Sequence, residues 1–291
     1  MNRLQSSAFM CFAAMLGFTL STCETLSKAT ENIALAEGHS LVMTSLFSAL
    51  NAAEEVNQLN GSRPSGPIGI ANENVILIYT DSLLTDGNGI AYILDFEPLN
   101  SQAPKGIQCG DGIYRTGKIR VTISGDWSES NTQFSMVLDS FSTGDGISMK
   151  QVNGTIRGYR KSSKSWEIDF TDLKIKPNNS NTAHELSGIC EVVTTSGDQT
   201  IGLLDNIQDV FGSGSGKLQS GESYGWSIDQ NIPLTKRMEN GCAETFVKGV
   251  VKMINSNEAN LQLDFDPFEN QACDRVAKAL LGRREFIFTI E

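Results

Sequence analysis

The chain has 291 residues, 40% of them hydrophobic and 20% charged, with a formal net charge of -11. That length and balance suit one large or two ordinary folded domains and exclude a disordered chain. So acidic a body also excludes nucleic acid as a partner, because such binding rests on phosphates neutralised by Lys and Arg, and the run Arg157-Gly-Tyr-Arg160-Lys161 is too short to offset it.

Arg3 is the only charged residue before position 23, and an uncharged, mostly apolar run follows from Ala8 to Leu20. This is the layout of a secretory signal, and the run is too short to span a bilayer comfortably. Residues 1–22 are the predicted signal peptide, whose removal leaves -11 - 1 = -12. Leu20-Ser21-Thr22-Cys23 resembles a bacterial lipobox, with Thr22 where a smaller residue is usual. On that reading Cys23 carries lipid and holds the chain to a membrane; the alternative is cleavage nearby with Cys23 incidental. Lipidation leaves an even set of cysteines in an oxidising compartment: Cys109, Cys190, Cys242 and Cys273. Cys242 and Cys273, both near the carboxy end, form the expected disulfide, and Cys109–Cys190 follows as the second. No zinc site is expected, because these cysteines stand 31 or more residues apart.

Residues 23–59 read as an N-terminal helical segment. Leu26, Ala29, Ile33, Ala36, Leu41, Leu46, Leu50 and Ala53 recur at helical steps. Gly38 is expected to divide it, with Ser40 as N-cap of the second piece. Val42, Leu46, Ala49 and Ala53 form an apolar face for the protein's own sheet, with Glu54 and Glu55 opposite. Residues 60–71, rich in Gly, Ser and Pro, read as a linker. Beyond it the periodicity becomes that of strands, separated by turns such as Asp86-Gly-Asn-Gly89 and Gly144-Asp-Gly146. Short separators imply antiparallel neighbours. The expected fold is mainly β, with long antiparallel strands in a twisted sheet or sandwich-like body. Two β-units are expected, 72–180 and 181–291. Gly212-Ser-Gly-Ser-Gly216 reads as a flexible loop or bulged turn.

A decapeptide occurs twice. Leu94-Asp-Phe-Glu-Pro-Leu-Asn-Ser-Gln-Ala103 returns as Leu263-Asp-Phe-Asp-Pro-Phe-Glu-Asn-Gln-Ala272, identical at six of ten positions. Asp95 and Glu97 leave one face of a strand, and Asp264 and Asp266 repeat the arrangement. Solvated strand faces, a calcium site of converging carboxylates and the carboxylate pair of a glycosidase are the three readings open here. No other cofactor is expected. His39 and His184, the only histidines, read as surface or loop residues outside any nucleophile context. Trp127, Trp166 and Trp226 are either core or, if exposed together, a platform for sugar rings.

Ile93-Leu-Asp-Phe96, Cys109-Gly-Asp-Gly112, Arg115-Thr-Gly-Lys-Ile-Arg-Val-Thr122 and Val152-Asn-Gly-Thr-Ile-Arg157 occur in that order. With Val247-Lys-Gly-Val-Val251, Leu263-Asp-Phe265 and Cys273-Asp274, this succession resembles secreted or surface lipoproteins of unknown function from Bacteroidetes-type bacteria. The chain departs from their pattern where Glu97 or Asp266, followed by proline, replaces a glycine. The resemblance implies a β-rich fold and exposure at the cell surface, and it implies no activity. The expectation is a non-enzymatic cell-envelope lipoprotein, structural or adhesive, at the outer membrane or cell surface, otherwise periplasmic or secreted. Its partners would be a membrane, through the lipid anchor, and a glycan or extracellular protein. The alternative is a glycan-binding or glycan-processing component of a surface uptake system.

Overall fold

The computed structural model describes residues 33–58, 74–96, 105–177, 180–197, 203, 205–239, 242, 245–255 and 260–290. The predicted signal peptide, Cys23, the predicted linker and Glu97 lie outside them. One helix, α1 (Ile33–Gln58), precedes the strands. These are β1 (Ile76–Asp81), β2 (Ile90–Asp95), β3 (Ile107–Gln108), β4 (Tyr114–Ile123), β5 (Gln133–Gly144), β6 (Met149–Arg160), β7 (Ser165–Pro177) and β8 (His184–Ser196). Then follow β9 (Ile207–Lys217), β10 (Ser223–Ile228), β11 (Leu234–Arg237), β12 (Val250–Asn255), β13 (Asn260–Asp264), β14 (Val276–Leu281) and β15 (Arg284–Thr289). The fold is mainly β, as the alternating sequence implies.

All fifteen strands form one sheet, in the order β1-β2-β4-β5-β6-β7-β8-β9-β10-β12-β13-β14-β15, with β3 added to β4 and β11 to β9. Chain neighbours pair antiparallel through most of it, because tight polar turns leave no length for a crossover. The predicted unit boundary near residue 180 falls between β7 and β8, which pair from Ser165↔Val193 to Ile175↔His184. The two predicted units are therefore joined edge to edge.

The sheet is curled, and its curvature has a local cause. Gly117 in β4, Ser140 in β5, Gly154 in β6 and Asp172 in β7 all have positive φ. The ladder shifts register at each of them. Such bulges bend a strand and increase its twist. Repeated across four adjacent strands, they wrap the sheet about α1. Gly117 is needed for close approach as well as for its φ, since a Cβ there would lie 2.2 Å from the Ser140 carbonyl oxygen.

The helix is enclosed. Every residue from 42 to 57 is buried, on all faces. Phe47 meets Phe246 edge to face with centroids 5.5 Å apart, and the Tyr92 hydroxyl on β2 donates to the Ala53 carbonyl at 3.2 Å. By length and hydropathy α1 would suffice to cross a membrane, but here it is the core. Three expectations are corrected by this. Gly38 does not divide α1; it lies in it, so close to His184 and Leu218 that a Cβ would meet both at 2.8 Å. Ser40 is not an N-cap but a buried mid-helix residue whose hydroxyl donates to the Ala36 carbonyl at 2.9 Å. Glu54 and Glu55 do not face solvent; both are buried.

The Gly212–Gly216 run is not a loop either. It lies within β9, paired with β8 and β10. The absent side chains make room for aromatic rings of β10: a Cβ on Gly216 would lie 2.3 Å from the Tyr224 ring. Trp226 occupies the same space, stacked on Phe170 at 6.3 Å. Replacing Phe47 with Ala is expected to lower stability by about 3–5 kcal/mol, the range for deleting a buried aromatic. Urea unfolding measures this, and a loss under ~1 kcal/mol would mean that the helix face is open.

Candidate functional site

Four polar side chains of α1, those of His39, Ser48, Glu54 and Asn57, are answered from distant strands. Arg115 on β4 and Asp111 before it are fully buried and form a two-pronged ion pair at 2.8 and 2.7 Å. The same guanidinium donates to the Ser48 carbonyl of α1 at 3.3 and 3.2 Å. Burial disfavours the Arg115 charge, but Asp111 beside it holds its pKa above the usual value. The Ser48 hydroxyl sits 2.6 Å from that of Thr143 on β5. Glu54 accepts from Gln208 on β9 at 3.0 Å. Burial pushes the Glu54 carboxyl up to about 7, against the opposing pull of Gln208, Arg160 and Gln58. Burial likewise lowers Lys236, on β11, to about 7.

The sequence-predicted site residues fall in separate places. Asp95 is bonded to Lys118 at 2.8 Å and Asp264 to Lys278 at 3.4 Å, each directly across the ladder. Asp266 accepts the backbone N–H groups of Asn270 and Gln271, both at 2.9 Å, and so shapes a turn. The two decapeptides are alike as strand ends. Phe96 and Phe265 are buried, and their N–H groups donate to the carbonyls of Gly117 and Gly249, both of positive φ. Asp95, Asp264 and Asp266 do not converge, which corrects the calcium reading for these three. Among the described residues, the only trio of His, Cys, Asp or Glu ligand atoms within 4.8 Å of one another is that of Glu239, Cys242 and Cys273, and its two sulfurs are joined.

Cys242–Cys273 is a disulfide. Cys109 and Cys190 are not its counterpart: both are free and buried. Cys109 lies ahead of β4, where burial raises its thiol to about 11, and Cys190 packs inside β8, fully buried. His39 is no surface residue. It is fully buried in α1, with Nδ1 3.2 Å from the Tyr224 hydroxyl, and burial pulls it down to about 3. His184 is half-buried at the start of β8. Trp127, Trp166 and Trp226 are all core, so they form no sugar-stacking platform.

The open chemistry lies instead where the amino-terminal half of α1 meets the β5–β6 turn and the end of β15. A hollow of about 370 Å³ there is lined by Ser45, Ser48, Thr143, Lys150 and Arg275. It adjoins a second of about 770 Å³ beside Ala34, Leu41 and His184. Sequence reasoning missed this place, although the row Ser40, Thr44, Ser45 and Ser48 on one helix was a visible signal. The chain matches no family model, no curated protein and no solved structure.

Two outcomes follow from the buried groups and the disulfide. Folded Glu54 keeps its proton up to about pH 7, whereas the unfolded group releases it near 4.5. The folded state therefore binds more protons between these values, and stability falls as pH rises through that window. Glu54→Gln is expected to abolish this slope and to stabilise the protein at pH 8 by on the order of 3 kcal/mol. Urea titrations at pH 5 and 8 measure this, and parallel curves for both proteins would contradict it. Separately, reducing Cys242–Cys273, which spans 31 residues, should remove about 3–4 kcal/mol. Unchanged melting in reductant would refute that.

Proposed function

We propose that the chain is an exported cell-envelope lipoprotein, attached through acylated Cys23, whose β-body is a non-enzymatic structural or adhesive module. The apolar run after Arg3 and the lipobox-like Leu20–Cys23 support export and anchoring. The Cys242–Cys273 disulfide suits an oxidising compartment outside the cytoplasm. Two acyl chains would hold the protein firmly, where one alone gives marginal binding. The order of motifs that resembles Bacteroidetes-type surface lipoproteins supports the same reading.

One observation carries the non-enzymatic reading: Arg115, Glu54 and His39 are enclosed in the body and engaged with its own residues. Arg115 is closed on Asp111 and α1, Glu54 on Gln208, and His39 on Tyr224. A general acid or base must reach its substrate, and these groups are enclosed. The rival glycan-processing reading loses its aromatic platform with the three buried tryptophans.

Expression of the full chain in a Gram-negative host with an alkyne-tagged palmitate tests the anchor. The wild-type protein is expected to take up label and sediment with membranes, and Cys23→Ser to lose both. Unlabelled wild-type protein in the soluble fraction, or equal labelling of the variant, would contradict the assignment.

A further inference from the structure

The two hollows beside α1 share Ser148, Lys150, Thr289 and Ile290, so they are one continuous groove. Both arms mix polar and apolar lining. The inner arm has Ser45, Ser48, Thr143 and Arg275 in its wall, beside Ile113 and Ile290. The Ser45 hydroxyl donates its proton to the Leu41 carbonyl at 2.7 Å, which leaves its oxygen as an acceptor. The outer arm carries a hydrocarbon patch of Ala34, Leu41, Ile147, Met149 and Pro177, alongside Glu37, Lys105 and His184. Lys150 stands at the junction. Each arm by itself falls within the size range of small-molecule sites, about 300–1,000 Å³, and the mouth of a curled sheet is a common place for one.

Charge in the groove runs against that of the chain. Lys105, Lys150 and Arg275 line it against Glu37 and Asp145, three cations to two acids, in a protein whose net charge is -11. Asp145 is held by its own turn and also attracts Lys150. Its Oδ1 accepts the N–H groups of Ile147 and Ser148 at 2.8 and 2.6 Å, which holds its carboxyl below the usual value. That turn presents Ile147, 83% exposed, at the lip of the outer arm. Arg275 is held at φ 54, and its carbonyl accepts the Ile290 N–H at 2.8 Å. A long side chain is seldom found there, because the left-handed region is strained for residues other than glycine.

We propose that this groove binds a single-chain anionic amphiphile, with its oxyanion head at Lys150 and Arg275 and its hydrocarbon tail along Leu41, Ile147 and Met149. Neither set of residues alone accounts for such a ligand: Lys150 and Arg275 would suit a free anion, and Leu41, Ile147 and Met149 a neutral detergent. Ala34, in the first turn of α1, lines the groove and stands only eleven residues after Cys23. Even fully extended, that length of chain reaches about 40 Å, so an anchored protein would keep the groove near a source of lipid.

The test uses the full chain carrying Cys23→Ala, purified without detergent, so that its outcome is separate from that of the anchor. Titration calorimetry compares dodecanoate, dodecyl maltoside and acetate below their critical micelle concentrations. Dodecanoate is expected to bind at least about tenfold more tightly than either of the others, a gap of roughly 1.4 kcal/mol. Lys150→Gln and Ile147→Ser should each weaken dodecanoate by about tenfold while leaving the urea midpoint unchanged, since both side chains line an open groove. Absence of dodecanoate binding, equal affinity for dodecyl maltoside, acetate binding as tight as dodecanoate, or variants that bind like the parent would overturn the proposal.

Discussion

The constraint on which this architecture depends is the complete burial of a helix that is not completely apolar. A helix enclosed on every face is ordinarily hydrophobic all round. Here α1 carries His39, Ser48, Asn51, Glu54, Glu55 and Asn57 into the interior. A buried polar group without a partner is destabilising by about 1–3 kcal/mol, and an unpaired charge by more. For His39, Ser48, Glu54 and Asn57 the sheet delivers Tyr224, Thr143, Gln208 and Tyr92 to particular levels of the helix, and Arg115 to the Ser48 carbonyl, while Asn51 finds no hydrogen-bond partner among the described residues. These partners come from five different strands. Their placement ties the register of the whole sheet to the position of α1.

The curl of the sheet answers the same constraint. A flat sheet would cover one face of α1; a line of bulges from Gly117 to Asp172 brings the later strands round to the other faces. Glycines in β9 then admit the rings of Tyr224 and Trp226 against the backbone, which closes the space around His39. Hydroxyls that find no strand partner bond within the helix, as Thr44 does to the Ser40 carbonyl at 2.9 Å. The disulfide fastens Cys242, ahead of β12, to Cys273, ahead of β14, near the carboxy edge of the sheet.

What was legible in the sequence was local. Alternation and turn chemistry marked the body as long antiparallel strands, because such strands have one face toward the core and one toward solvent. The opening residues of the duplicated decapeptides were read as strand, and Leu94, Phe96, Leu263 and Phe265 are core. What was not legible depended on distance in sequence. Glu54 looked like a solvent-facing acid because its partner Gln208 stands 154 residues away. The Gly-Ser run of β9 looked like a loop because its purpose, room for the rings of Tyr224 and Trp226, is invisible without β10. Cys109 and Cys190 looked like a pair by parity alone, and parity says nothing of which strands they occupy. The groove went unseen for the same reason: Ser45, Thr143, Lys150 and Arg275 converge only after the sheet has curled.

Enclosure of α1 is thus the claim on which the placement of the groove, the shifted acidity of Glu54 and the coherence of the sheet all rest. Hydrogen exchange of the backbone amides in residues 42–57, followed by mass spectrometry, tests it most directly. If the sheet surrounds the helix, these amides exchange only when the whole protein unfolds, and they share the protection of β6 and β7. Rapid exchange of the helix while the strands remain protected would show that it packs on an open surface and would contradict the account.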